Sequence, residues 1–291
     1  MRYVTVDHDG RERVGTLEDD TVLLLPEENG DLVDVIARGT PLPGERQAVA
    51  LSACRLLAPI RRFRRDLLCV GLNYHAHFEE GRERRPEGFE MPTAPTFFTK
   101  GPDSVVGPEA GIPHDPRLSQ KWDYEAEIAL VIGRAGRSIP RNRAWDHVFG
   151  FTLANDVSAR DLQRRHGGQW FKGKSLDGSC PLGPFVATRD EVDLATMRLT
   201  CDVNGERRQS APAAAMVFDV ADIIAEASFG MTLRPGDVIL TGTPAGIGNA
   251  MKPPRYLAPG DIIEIAADGL GTLRSSVFAA DLVGDSDVHP F

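Results

Sequence analysis

The apolar residues of this 291-residue chain fall into short runs bounded by turn residues, and this pattern constrains the fold most strongly. Leu67–Gly71 and Ala126–Ile132 are apolar runs of strand length. The stretches at 235–239 and 259–263 share Pro-Gly-Asp followed by apolar residues. Runs of this kind, framed by glycine and proline, are typical of buried strands. The sequence therefore predicts an α+β chain with more strand than helix.

One longer stretch, residues 213–229, has the period of an amphipathic helix. Met216, Val220, Ile223 and Ala227 share one face of such a helix, and Gly230 follows at a place where it can stop. This is the main helix that the sequence predicts.

The first sixty residues have the pattern of a small separate unit. β-prone stretches flank the turn at Asp9-Gly10, an apolar run at 22–25 ends at Pro26, and Leu32–Arg38 has the length of a short helix. We predict a small N-terminal α+β domain over residues 1–62 and a larger second domain over residues 63–291.

Charge and cysteine content exclude several classes of protein. The formal net charge is −9, so a nucleic-acid partner is not expected and no basic face is available for an anionic membrane. No stretch approaches the ~20 apolar residues of a membrane-spanning helix, and the acidic start is unlike a signal peptide. The four scattered cysteines form no CxxC pair, so we expect reduced thiols, no zinc site and a cytoplasmic location.

Three carboxylates are the first candidates for chemistry. Glu125 and Glu127 are two residues apart at the start of an apolar run, so on a strand they face the same side. A divalent cation between them is one interpretation, and a solvated edge strand is the other. Asp156 follows a second apolar run, where it is either a helix N-cap or a third ligand. Three carboxylates suit Mg²⁺ or Mn²⁺ better than zinc.

Five motifs then occur in an order that resembles the fumarylacetoacetate hydrolase family. They are GLNYHAH at 71–77, DYEAE at 123–127, NDVSARD at 155–161, GKS at 173–175 and TGTPAG at 241–246. The resemblance covers about three quarters of the chain and is specific to the family, not to one activity within it. It implies a mixed β-sandwich roll with few helices and a homodimer. It also implies that Glu125, Glu127 and Asp156 bind Mg²⁺ or Mn²⁺, with Ca²⁺ as a further option.

His77 and Glu80 are the predicted general base. They are neighbours on one helical turn, and a carboxylate beside an imidazole orients it as a proton acceptor. From the residues alone, a solvated ion pair is the alternative. The resemblance implies that this pair lies on a lid that orders over the substrate and activates water. The charge-dense stretch at 79–90 predicts a mobile loop or a short exposed helix; Glu79 is an alternative to Glu80, and His75 has no assigned role.

Lys174 and Gln163 complete the predicted catalytic set by resemblance. Lys174 matches a family lysine near the metal, where an ammonium polarises a carbonyl or stabilises an enolate. Gln163 matches a family glutamine near the lid. Lys172 has the character of an ordinary surface lysine.

Four further residues are predicted to contact the substrate. Arg160 either holds a substrate carboxylate or pairs with Asp161. Lys100 is a second carboxylate-binding candidate, Thr243 offers its hydroxyl or its N–H, and Tyr74 lies in the first motif.

The predicted function is a metal-dependent hydrolase that cleaves a carbon–carbon bond of a small 2,4-dioxo acid, giving pyruvate and a carboxylic acid. Water activated by His77 and Glu80 attacks the distal carbonyl, and Lys174 stabilises the leaving enolate together with the metal. The same residues support two alternatives, decarboxylation of an oxaloacetate-type acid and isomerisation of a 2-hydroxydienoate. A non-catalytic binding protein of the same fold is a third.

Overall fold

Two β-sheets make up most of the fold in the computed structural model, which describes residues 1–84 and 86–284. The described strands are β1 (Arg2–His8), β2 (Arg11–Glu18), β3 (Thr21–Leu24), β4 (Gln47–Ala50), β5 (Arg55–Leu56), β6 (Leu67–Gly71), β7 (Thr96–Lys100), β8 (Val105–Val106), β9 (Ile112–His114), β10 (Trp122–Asp123), β11 (Ala126–Ile132), β12 (Gly136–Arg137), β13 (Val148–Asn155), β14 (Ser158–Ala159), β15 (Cys180–Thr188), β16 (Arg198–Val203), β17 (Glu206–Pro212), β18 (Thr232–Leu233), β19 (Val238–Leu240), β20 (Ile262–Ala267) and β21 (Gly271–Ala279). The strands predicted around the apolar runs are confirmed.

Helices are short in comparison. The described α-helices are α1 (Leu32–Arg38), α2 (His75–Glu80), α3 (Arg160–Arg165), α4 (Phe171–Lys174) and α5 (Val220–Ser228). Short 3₁₀ helices cover Glu27–Asn29, Leu51–Ala53, Arg82–Arg84, Pro102–Ser104, Arg141–His147, Arg189–Glu191, Ala213–Ala215 and Gly248–Ala250. In residues 1–84 and 86–284, no helix has the length and apolar content needed to cross a bilayer.

The larger sheet runs from the N-terminal segment into the rest of the chain. Its order is β4-β3-β2-β1-β15-β13-β11-β19-β6-β7. The β1–β2 turn is at Asp9-Gly10, where both residues have positive φ, as a tight hairpin turn requires. Strand β1 pairs with β15 through Tyr3 and Val186, so the small N-terminal domain extends the sheet of the second domain. The domain boundary at residue 62 stays a sequence-based prediction.

The smaller sheet has the order β17-β16-β20-β21-β9 and packs on one face of the larger one. Apolar side chains of β11 and β13 meet those of β16 and β20 in one core cluster. Helix α1 and Leu67, with the opposite faces of β11 and β15, form a second cluster. Because both of its faces are covered, every residue of β11 is buried. The predicted β-rich α+β sandwich with a small N-terminal domain is thus confirmed.

The main predicted helix is shorter than the sequence pattern indicates. Helix α5 begins at Val220, after Asp219 caps it, while the predicted start lay at residue 213. The intervening backbone is held instead by Asn73, whose carbonyl accepts from the N–H of Val217 and whose side-chain oxygen accepts from the N–H of Phe218. These contacts cross a separation of more than 140 residues and compete with helical hydrogen bonding.

The cysteines agree with the expectation of reduced thiols. Cys69, Cys180 and Cys201 are buried, Cys54 is partly exposed, and all four are free. Burial raises the pKa of the thiols of Cys69, Cys180 and Cys201, which disfavours the reactive thiolate.

Candidate active site

Antiparallel pairing of β11 with β13 brings the three predicted metal ligands together. Ala126 lies opposite Asn155, and the N–H of Asp156 donates to the carbonyl of Glu125, so residue 156 lies beside the start of β11. Oxygen atoms of Glu125, Glu127 and Asp156 all lie within 4.8 Å of one another. The side chains are almost wholly buried, so the solvated-strand interpretation is wrong. Asp156 caps no described helix, so the N-cap interpretation is wrong as well.

Cations compensate two of these carboxylates but not the third. Lys174 Nζ lies 2.7 Å from Glu125 Oε2 and 2.6 Å from Asp156 Oδ2. Arg160 Nη2 lies 2.6 Å from Glu125 Oε1. Within the described residues, Glu127 has no ion-pair partner, and its Oε2 accepts from the N–H of Gly242 at 2.6 Å. Burial of a carboxylate without a cation costs free energy of folding. The carboxylate of Glu127 also completes an all-oxygen set of donor atoms.

The pKa values follow this arrangement. Burial and repulsion by Asp156 and Glu125 raise the pKa of Glu127 well above its usual range. Burial also disfavours the ionised form of Glu125, but Lys174 and Arg160 outweigh it and hold its pKa below the usual value. Burial disfavours charged Lys174, but Asp156 and Glu125 raise its pKa overall. These residues fit a hard divalent cation, which would relieve the repulsion at Glu127.

His77 and Glu80 form the predicted pair on α2. His77 Nδ1 lies 2.6 Å from Glu80 Oε1, and the other carboxylate oxygen of Glu80 accepts from the N–H of Gly246 at 2.8 Å. Because an ionised carboxylate only accepts, Nδ1 carries the proton and Nε2 is the basic nitrogen. The Gly246 contact holds α2 against the loop at 241–249. His75 is exposed on the same helix and makes no contact with this pair.

The loop at 241–249 depends on a close approach at Gly246. This glycine has φ +110°, and a Cβ there would lie 2.0 Å from the carbonyl oxygen of Arg208. We expect Gly246→Ala to lower the free energy of unfolding by roughly 2–3 kcal/mol, because both the backbone angle and the backbone contact oppose a side chain.

Denaturant unfolding measures this effect, with Gly230→Ala as the matched control. Gly230 also has positive φ but no atom within 4 Å of an added Cβ, so its cost is about 1 kcal/mol. Equal losses for the two variants would contradict the role of the close approach.

A cavity of about 250 Å³ opens directly above the carboxylates. The predicted residues on its wall are His77, Arg160, Gln163, Lys174, Thr243, Glu125 and Glu127. Its apolar wall includes Phe98 and Trp170, whose rings pack edge to face with centroids 5.2 Å apart. Thr243 accepts a hydrogen bond from Gln209 at 2.8 Å. Lys172 is exposed and lies outside this wall, as predicted.

Two predicted substrate contacts are not on the cavity wall. Lys100 is fully buried behind Asp156, with its Nζ 2.9 Å from Asp156 Oδ1 and bonded to the carbonyl oxygens of Val157 and Lys174. It therefore supports a carboxylate of the protein and does not face a substrate. Tyr74 is also buried, and its hydroxyl has no hydrogen-bond partner among the described residues.

Arg160 has a different partner from the predicted Asp161. Its Nε and Nη2 both lie 2.9 Å from Asp123 Oδ2, and Asp161 instead accepts from Ser119. Asp123 also accepts from the N–H groups of Gly248 and Asn249. Asp123 thus joins Arg160 to the loop at 241–249. This role was not predicted from the sequence, although Asp123 is the first residue of the DYEAE motif.

Gln209 and Asn73 were missed as well. Gln209 is fully buried, accepts from the N–H of Ala126 at 3.0 Å and donates to Thr243, which links β11 to the 241–249 loop. Asn73 donates to the carbonyl of Thr241 at 2.7 Å. The position of Asn73 inside the first motif was the only available signal, and Gln209 offered none.

Comparisons with known proteins agree with this geometry. Residues 66–278 match the family model described as fumarylacetoacetate (FAA) hydrolase C-terminal, and residues 1–59 match one described as Rv2993c-like, N-terminal. The oxaloacetate tautomerase YisK of Bacillus subtilis is 36% identical over 306 residues, covering 95% of this chain and 100% of YisK.

Two solved structures are similar over nearly the whole chain. The fumarylacetoacetate hydrolase of Exiguobacterium antarcticum has a TM-score of 0.85 and 41% identity, covering 96% of this chain and 100% of that one. The maleylpyruvate hydrolase of Sphingobium sp. SYK-6, in complex with manganese(II) and pyruvate, has a TM-score of 0.77 and 27% identity, covering 97% and 100%.

Proposed function

Because this chain belongs to the fumarylacetoacetate hydrolase family, we propose that it is a divalent-metal-dependent tautomerase of a small 2-oxo acid, with oxaloacetate as the substrate. The main support for this proposal is an oriented proton acceptor, His77, on the wall of the cavity that Glu125 and Glu127 of the buried carboxylate cluster also line. The full-length similarity to an oxaloacetate tautomerase supports the choice of substrate. It favours the oxaloacetate alternative over the carbon–carbon hydrolase predicted first.

Tautomerisation requires a proton transfer but no cleavage of a carbon–carbon bond. The keto and enol forms of oxaloacetate differ by a proton that moves between C3 and the 2-oxo oxygen, and no carbon–carbon bond breaks. A neutral imidazole whose second nitrogen is fixed by a carboxylate is suited to take such a proton near neutral pH. His77 and Glu80 provide this arrangement.

The roles of the other residues follow from their contacts. Mg²⁺ or Mn²⁺ bound by Glu125, Glu127 and Asp156 would supply Lewis-acid polarisation of the 2-oxo carbonyl. The ammonium of Lys174 lies beside the carboxylates of Glu125 and Asp156. At this position it would stabilise the negative charge that develops on an enolate.

The proton path runs through His77. Its Nε2 takes a proton from C3 of the keto acid, and the electrons of that C–H bond form the C2–C3 double bond. The electron pair of the C2–O π bond moves onto the 2-oxo oxygen, which then takes a proton from water. The imidazolium gives its proton to the resulting hydroxide, which completes the enol and restores neutral His77. Ketonisation follows the same path in reverse, with the imidazolium returning its proton to C3.

Glu80→Gln tests the orienting role of the carboxylate. Glutamine retains an oxygen that can accept from Gly246, but it removes the charge that favours the imidazolium. We expect kcat to fall about 10- to 100-fold, with KM changed much less. Steady-state tautomerase kinetics measure the effect, and an unchanged kcat would contradict this role for Glu80.

A substrate panel tests the proposed function itself. The decay of the ultraviolet absorbance of enol-oxaloacetate is followed with Mg²⁺ or Mn²⁺ and with EDTA, and pyruvate is measured in the same samples. Metal-dependent decay above the spontaneous rate, without pyruvate, is the expected result. Pyruvate from oxaloacetate would identify a decarboxylase instead.

A carbon–carbon hydrolase is the second candidate. The similarity to maleylpyruvate hydrolase favours it, as does the apolar wall of Phe98 and Trp170, which can contact an acyl chain. Short acylpyruvates belong in the same panel, where pyruvate with a matching carboxylic acid would support hydrolysis.

Homodimer formation stays a prediction, which light scattering in solution tests.

A further inference from the structure

Three Arg and Lys side chains among the described residues line the cavity, and two of them are already paired. Lys174 contacts Glu125 and Asp156, and Arg160 contacts Asp123 and Glu125. Arg164 differs because it makes no ion pair or hydrogen bond with any described residue, and its side chain is exposed. Among the described residues, Arg164 is therefore the one Arg or Lys of the cavity wall whose charge no carboxylate of the protein compensates.

We propose that Arg164 binds the distal carboxylate of the substrate and so selects a dicarboxylic 2-oxo acid over a monocarboxylic one. This inference rests on the proposed function, in which the 2-oxo acid end of the substrate lies at the carboxylate cluster. The second carboxylate of oxaloacetate then needs a cation elsewhere on the wall. A guanidinium suits it because its N–H groups match a carboxylate in two parallel hydrogen bonds.

Helix α3 places Arg164 about one turn beyond Arg160, which contacts Glu125 of the cluster. Arg160 and Arg164 are four residues apart, so they lie on one face of the helix, about 6 Å apart along its axis. Gln163 is also on the cavity wall, and its Oε1 lies 3.3 Å from Arg160 Nη1. The helix thus presents polar groups from the buried cluster outward to the exposed Arg164.

Arg165 provides a matched control for this proposal. It is the next residue of α3, it is also exposed and lacks a described partner, and it is not on the cavity wall. An effect of general surface charge on an anionic substrate would appear in both variants, whereas a specific contact would appear only at Arg164.

The test compares two ligands that differ only in the distal group. Oxaloacetate and 2-oxobutanoate share C1 to C3, and a methyl group replaces the second carboxylate in 2-oxobutanoate. The KM of oxaloacetate and the inhibition constant of 2-oxobutanoate are measured in the metal-loaded wild type, Arg164→Gln, Arg164→Lys and Arg165→Gln.

For Arg164→Gln we expect the KM of oxaloacetate to rise about tenfold or more relative to that inhibition constant, with kcat changed much less. Arg164→Lys should recover part of this loss, and Arg165→Gln should match the wild type. A ratio that is the same in Arg164→Gln and the wild type would overturn the inference. Wild-type protein without tautomerase activity would contradict the proposed function instead.

Discussion

Glu127→Gln is expected to abolish metal-dependent activity without weakening the fold. The glutamine oxygen can still accept from the N–H of Gly242, so the local hydrogen bond is kept. The change removes one negative charge of the three-carboxylate site, and with it the ligand that has no cationic partner in the described chain. Because Lewis-acid assistance is worth several kcal/mol, we expect kcat/KM to fall about a thousandfold.

The stability of metal-free Glu127→Gln should be equal to or higher than that of the wild type, although its activity falls. In metal-free protein, burial and repulsion by Asp156 and Glu125 raise the pKa of Glu127, so its ionised form destabilises the fold. Metal-free Glu127→Gln should therefore melt at the same temperature as the wild type or higher. Wild-type protein should gain in melting temperature on addition of Mn²⁺, and the variant should not.

Calorimetric titration with Mn²⁺ and thermal melts check both expectations. Glu109→Gln serves as the control because Glu109 is an exposed carboxylate outside the cluster. It should bind Mn²⁺ and turn over substrate like the wild type. Undiminished Mn²⁺ affinity in Glu127→Gln would contradict the assignment of this residue as a ligand.

The second large effect is expected for His77→Ala. Without the imidazole, no other described residue on the cavity wall offers a neutral nitrogen base, so kcat should fall about 10²- to 10⁴-fold. His77 is not among the three carboxylate ligands, so affinity for Mn²⁺ should stay near that of the wild type. The variant thus separates proton transfer from metal binding, which Glu127→Gln cannot do.

His75→Ala is the matched control for this variant. His75 lies on the same helix two residues earlier, is exposed and is absent from the cavity wall. Its removal should leave kcat and KM near their wild-type values. If both histidine variants lost activity equally, the effect would come from disruption of α2 and the assignment of His77 would fail.

Much of the fold could be predicted because the strands carry their own signals. The apolar runs at Leu67–Gly71 and Ala126–Ile132 and the Pro-Gly-Asp turns mark strands locally, and the structure places them accordingly. The predicted helix is present as α5, but its predicted start at residue 213 was wrong because Val217 and Phe218 bond to Asn73, which is distant in sequence. Periodicity contains no information about such a contact.

The same limit explains the errors in the site. Glu125 and Glu127 could be paired from their spacing, while the grouping with Asp156 depended on the family resemblance and on strand register. Lys100 was predicted to bind a substrate carboxylate, and only the structure shows that it supports the carboxylate of Asp156 instead. Gln209 lies 82 residues from Glu127 and acts through Ala126 and Thr243, so no local pattern marks it.

In the proposed reaction, His77 moves a proton at C3 of a 2-oxo acid that is held beside the three carboxylates. The most direct measurement is deuterium incorporation at C3 of oxaloacetate in D₂O, followed by proton NMR with Mg²⁺. We expect wild-type protein to accelerate exchange above the spontaneous rate, EDTA or His77→Ala to remove the acceleration, and pyruvate not to accumulate. Exchange at the spontaneous rate with the Mg²⁺-loaded wild type would contradict the proposed reaction.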